Sequence, residues 1–89
     1  MIVWDESKRR QTLARRGLDF ADAAKVFAGD HFDRLDDRRD YGEPRYITAG
    51  FLKDRFVVVT WTPRGQARRI ISMRFGHDKE KKRFTQSVG

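Results

Sequence analysis

The sequence predicts an α+β fold: two N-terminal helices packed on a twisted antiparallel sheet of three to four strands, followed by a short C-terminal helix. Three observations carry this expectation. Phe20, Ala23, Ala24 and Phe27 recur at i, i+3, i+4 and i+7, an apolar helical stripe early in the chain. Three β-rich runs follow, joined by connections too short for anything but antiparallel neighbours. The last run, Arg68 to Phe75, alternates with period two. Eighty-nine residues make one domain, taken as residues 1–89 with 85–89 as a frayed tail.

Each element has its own signal. Ile2-Val3-Trp4 is a short apolar run suited to an edge strand. Asp5 reads as an N-cap for a helix over Glu6 to Arg16, whose last-turn arginines suit the negative end of the helix dipole and which Gly17 terminates. That helix offers little apolar surface, so it lies outside, and Lys8, Arg9, Arg10, Arg15 and Arg16 read as a solvated face. Asp19 caps a second helix, Phe20 to Ala28, which carries the stripe that covers the sheet and stops at Gly29. His31 to Leu35 suits a short strand, and Asp36 to Gly42 a mobile polar loop.

In the run Arg45 to Leu52, Tyr46, Thr48 and Gly50 alternate against Ile47, Ala49 and Phe51. Arg55 to Thr62 is dense in β-formers and apolar on both faces, which places it at the centre of the sheet. Lys53-Asp54 and Pro63-Arg64-Gly65-Gln66 are the turns on either side. Strict alternation along the final run sends Ile71, Met73 and Phe75 to the core and Arg68, Ile70, Ser72 and Arg74 to the other face, which is expected to be open. His77 to Phe84 reads as a short helix with Asp78 and Glu80 in its first turn and Lys81, Lys82 and Arg83 in its last.

Composition narrows the function. Net charge is +7 and charged residues make up 37% of the chain, with the cations clustered on a strand face, so a polyanion is the expected partner and nucleic acid the first choice. The absence of cysteine excludes disulfides, thiolate catalysis and thiolate metal sites. Two histidines without cysteine make no zinc site, so neither metal nor cofactor is expected. No signal peptide or membrane span can be drawn, and a cytoplasmic protein is expected. No recognition helix with a packed apolar face stands out, which counts against a DNA-binding regulator.

The chemistry points to RNA. Guanidiniums bind phosphate bidentately, and a hydroxyl such as that of Ser72 adds a further bond. In RNA the ribose 2′-OH can attack its own phosphorus, so the protein need supply only cations, a base and an acid. Arg74 is the leading phosphate ligand, with Arg68 beside it. His77 and Glu80, at i and i+3, are the candidates for proton transfer, and Tyr46 and Trp61 could stack on an unpaired base or simply pack.

The ordered set Trp4-Asp5-Glu6-Ser7-Lys8, Arg16-Gly17-Leu18-Asp19-Phe20, Gly42-Glu43-Pro44-Arg45-Tyr46-Ile47-Thr48-Ala49-Gly50 and Arg69-Ile70-Ile71-Ser72-Met73-Arg74 with Glu80 resembles the BrnT toxins of bacterial type II toxin–antitoxin systems. The resemblance implies a RelE-like fold and an RNA-cleaving activity that arrests growth. It also implies a BrnA-like antitoxin, which forms a hetero-oligomer with the toxin and carries it to DNA. By position it implicates Arg45, Arg69, Ser72, Arg74 and Glu80. Thr12 and Arg15-Arg16 stand where the family usually has Asn and Lys-His; Phe75-Gly76-His77 replaces Lys-Ala-Thr, and Phe84 replaces a tyrosine. The resemblance points to Arg69 and alternation to Arg68, a conflict that a bulge near the turn would resolve. A non-catalytic antitoxin-binding or nucleic-acid-binding module with the same fold is the alternative.

Overall fold

A computed structural model describes residues 1–88. The elements are β1 (Ile2–Trp4), α1 (Glu6–Arg16), a 3₁₀ turn (Phe20–Asp22) running into α2 (Ala23–Ala28), β2 (His31–Leu35), β3 (Tyr46–Leu52), β4 (Arg55–Arg64), β5 (Ala67–Phe75) and α3 (Asp78–Val88). All five strands form one sheet in the order β1-β5-β4-β3-β2. The sheet is mixed, and wider than the three to four antiparallel strands expected, because β1 joins β5 in parallel and β2 adds to β3. The helical segment after Leu18 opens with a 3₁₀ turn of three residues per turn. The buried positions are therefore Phe20, Ala23 and Val26, while Ala24 is exposed.

Local chemistry explains the element ends. Asp5 accepts from the backbone N–H of Lys8, and Gly17 closes α1 at φ 69°, a conformation that costs glycine nothing. Asp19 accepts from the N–H of Ala21 and also takes the Arg9 side chain, with Nε 2.9 Å from Oδ1. Arg9 thus ties α1 to the start of the second helical segment and is not part of a solvated face. No residue of α1 is buried, in keeping with an outer helix.

The main core lies between the sheet and α2. It comprises Leu18, Phe20, Ala23 and Val26 against Val57, Val59, Trp61, Ile70 and Met73. Gly50 is needed here, because a Cβ would sit 2.9 Å from the Val26 side chain and 3.2 Å from the Asp30 carbonyl.

The opposite face is not open. α3 lies on it and buries Phe84 among Ile47, Phe56 and Val58, with Phe51 packed alongside. The Phe84 ring is 5.4 Å from Phe56 and 5.6 Å from Phe51, within the range of favourable aromatic pairs. α3 continues through Val88, so the segment expected to fray extends the helix and Lys81 to Arg83 fall in its middle. Among the described residues no helix is long and apolar enough to cross a membrane.

Candidate active site

A bulge sets the geometry of β5. Thr60 pairs with Ser72 but Trp61 pairs with Ile70, so Ile71 is an extra residue that reverses the alternation. Ile70 and Met73 then share the core face. Arg69 opposite Thr62, Ser72 opposite Thr60 and Arg74 opposite Val58 share the face that bears α3. On β3, Ile47 and Ala49 face the same way, and Arg45 follows by the same alternation just before the strand. Arg45, Arg69, Ser72 and Arg74 are thereby brought onto one surface.

Arg68 falls on the other side. Its guanidinium lies 4.1 Å from the Phe27 ring centre and 5.0 Å from that of Trp61. Trp61 is in the core with its Nε1–H given to Thr48, and Tyr46 stacks on it at 5.0 Å. The expectation that Arg68, Tyr46 and Trp61 meet RNA beside Arg74 is therefore corrected. The bulge turns Arg68 away, and the two aromatics spend their faces on packing.

Arg74 and Glu80 form a fork-to-fork pair. Nη1 donates to Oε1 and Nη2 to Oε2, each at 2.9 Å. The Glu80 carboxylate also accepts the backbone N–H of His77 at 2.8 Å, the reciprocal half of a capping box at the start of α3. Arg74, then burial working the other way, then the His77 N–H set its acidity; the net result is a pKa lowered to about 2. Glu80 is thus ionised throughout the physiological range and a weak base. The His77 side chain is exposed and close enough for its charge to act on Glu80.

The pair leaves a usable edge on Arg74. Its Nη1 also reaches the Phe75 carbonyl at 3.3 Å, but no acceptor among the described residues takes its Nε–H or its second Nη2–H. Those two donors form the side-on fork that a phosphate accepts.

The segment between β2 and β3, expected as a mobile loop, is pinned beside this surface. Asp36 is buried and accepts from Arg38 Nε at 2.8 Å, Arg38 Nη2 at 2.9 Å and the Tyr41 hydroxyl at 3.1 Å. Its carboxyl is held far below the usual range, chiefly by the Arg38 side chain. Arg45 lies 4.1 Å over the Tyr41 ring, and its buried Nε has no hydrogen-bond partner. The charge of Arg38 is close enough to act on Arg74. Sequence reasoning missed Arg38, because its place depends on a buried aspartate that nothing in the local pattern marks as buried.

A groove of about 240 Å³ adjoins the pair. Ile47, Ala49 and Val58 floor it, Phe32 and Phe84 wall it, and Glu80, Arg34 and Arg83 lie along its rim. Among the described residues no three histidine or carboxylate side chains are grouped to hold a metal ion.

The family described as ribonuclease toxin, BrnT, of type II toxin–antitoxin systems matches residues 4–80. The chain belongs to the BrnT family. No curated protein is a match to it. The matched span takes in all of the gathered arginines and ends at Glu80. BrnT membership makes this a ribonuclease toxin of a type II system, with an antitoxin protein as its partner. Phe84, beyond the match, has a structural role in this chain: it seats α3.

The Glu80 pair gives a testable pH dependence. The folded pKa, about 2, lies below the ordinary 4.5, so the pair's stabilisation is complete above pH 4.5 and is lost as pH falls towards 2. Followed by circular dichroism, wild type should therefore lose more stability between pH 4.5 and 2 than the other carboxylates alone account for. Glu80→Gln should be less stable at pH 7, and its deficit should shrink between pH 4.5 and 2. A deficit constant across that range would mean that the carboxylate's charge does not hold α3.

Proposed function

We propose that this BrnT-family chain cleaves RNA without a metal ion, by attack of a ribose 2′-OH on the adjacent phosphorus. The O2′–P bond forms and the P–O5′ bond breaks. One proton leaves the 2′-OH for a base, and one is delivered to the departing 5′ oxygen. Arg74 binds the phosphate through its open Nε/Nη2 edge, while Glu80 fixes the orientation of the guanidinium. Arg69 and Arg45 neutralise charge as it grows on the phosphoryl oxygens, and Ser72 orients the group. The buried Nε of Arg45 makes no hydrogen bond, the Glu43 carboxylate standing 3.7 Å away, so a phosphate oxygen is a suitable acceptor for it. His77 moves protons, and the groove beside Glu80 takes a base against Phe32.

The reading rests on one observation above the others: the bulge at Ile71 gathers Arg69, Ser72 and Arg74 on one face with Arg45. In the cell the toxin is cytoplasmic and is neutralised by a BrnA-like antitoxin, through which the hetero-oligomer reaches DNA. Glu80's hold on Arg74 favours a second reading, in which the fold is a non-catalytic module that only binds the antitoxin. Purified protein incubated with single-stranded RNA in EDTA separates the two. Fragments carrying 2′,3′-cyclic phosphate ends are expected. Intact RNA in EDTA that is cut once magnesium is added would refute metal independence, and RNA intact under both conditions would favour the module.

A further inference from the structure

α1 turns a polar, cationic stripe towards the sheet. Lys8, Gln11, Thr12, Arg15 and Arg16 fall at i, i+3, i+4, i+7 and i+8, one face of the helix, and that face looks onto Ile71 and Ser72 of β5 across a cleft of about 190 Å³. A helix lying against a sheet ordinarily presents apolar residues there. The contact is possible because β1 pairs with β5 only over Arg68–Ile70, so the β5 edge beyond the bulge has no strand beside it. Arg16 satisfies part of that edge, its Nη1 donating to the Met73 carbonyl at 2.8 Å. No carboxylate lines the cleft, and among the described residues neither Lys8 nor Arg15 has an acidic partner.

Like charges held together on one turn spacing repel, and no carboxylate among the described residues pairs with Lys8 or Arg15 to offset this. We infer that this cleft is a second phosphate subsite, which takes the backbone of a single-stranded RNA whose neighbouring phosphate lies at Arg74. The inference rests on the ribonuclease reading of the α3 face and extends it. Ser72 links the two places, because by register it stands on the face of Arg74 while it also lines the cleft. The strand passes around the unpaired β5 edge from one place to the other. Thr12 and Ser72 add hydroxyl donors beside the cations, a mixture that suits phosphate oxygens. The site reads backbone and not base, so it adds affinity and processive grip without sequence preference.

The test compares wild type with Lys8→Gln/Arg15→Gln and with a charge-matched control, Lys25→Gln/Lys53→Gln, remote from the cleft. Binding is measured with a 2′-O-methyl oligonucleotide, which cannot be cut, across a range of salt. The cleft variant should bind about tenfold more weakly, and the slope of log K against log salt should fall by about 1, while the control changes much less. Cleavage of a dinucleoside monophosphate, which offers only the scissile phosphate, should be unchanged in both variants. Equal losses in variant and control would show a general field and no subsite. Loss of dinucleotide cleavage in the cleft variant would put the cleft inside the scissile site. Unchanged RNA affinity with weakened antitoxin binding would assign the cleft to protein carboxylates. Each of these three results overturns the inference. Wild-type protein that cuts nothing but binds the oligonucleotide through the cleft would refute the ribonuclease reading alone.

Discussion

Arg74→Ala should abolish RNA cleavage and growth arrest while leaving the protein folded. The expected loss is on the order of 10²–10³-fold in rate, the usual cost of removing one fixed donor from a developing oxyanion. The fold should survive because Arg74 is partly exposed and its alanine replacement leaves no buried charge behind. Glu80 would keep the His77 N–H that caps α3, and Phe84 would keep the helix seated. Arg74→Lys sharpens the test. A lysine retains the charge but cannot hold Glu80 and a phosphate with two separate forks, so it should recover only a small part of the rate. Single-turnover cleavage of a short RNA and thermal melting by circular dichroism are the two measurements. An alanine variant as active as wild type would remove Arg74 from the reaction. One that is inactive because it is unfolded would make it a structural residue.

Much of the fold could be seen in the sequence because its signals are local. Caps at Asp5 and Asp19, the stop at Gly17, and a β4 apolar on both faces each follow from residues within a few positions of one another. Two features could not be seen. The bulge at Ile71 is invisible to strict alternation, because Ile70 and Ile71 are equally apolar and either could face the core. Only the pairing of Ile70 with Trp61 decides, and that is a contact between strands. The result puts Arg69, and not Arg68, on the face that bears Arg74. The covering of the second face is a different case. Ile47, Ala49 and Phe51 already formed an apolar row on the side away from α2, and Phe84 was the one large apolar residue in the tail able to meet it. The demand for a cover is legible there, but in the tail the single Phe84 stands among charged residues that mask it. Arg38 and the cleft under α1 depend on a buried carboxylate and an unpaired strand edge, which arise only once the sheet is assembled.

Phe84 therefore carries the second large effect. Its ring is buried in the smaller core with Phe56, Phe51, Ile47 and Val58. Phe84→Ala removes that contact and leaves a cavity, at a cost of about 3–5 kcal/mol. A domain of this size has only roughly 5–10 kcal/mol in total, so urea unfolding should shift by a large part of its range. The consequence for activity should be larger still. α3 brings Glu80 to Arg74, and Glu80 holds the His77 backbone at the helix start, so undocking the helix frees the guanidinium from its orienting partner and displaces the proposed proton carrier together. Cleavage should thus fall even at temperatures where the variant remains folded. Gly76→Ala strikes the same cluster from the other side, because a Cβ there would run into the Phe56 ring. It should lose stability and activity in the same proportion as Phe84→Ala. Phe84→Leu, which refills most of the space, should recover both. If Phe84→Ala unfolds at the wild-type urea midpoint, α3 is not part of the core and the positioning of Glu80 must come from the Arg74 pair alone.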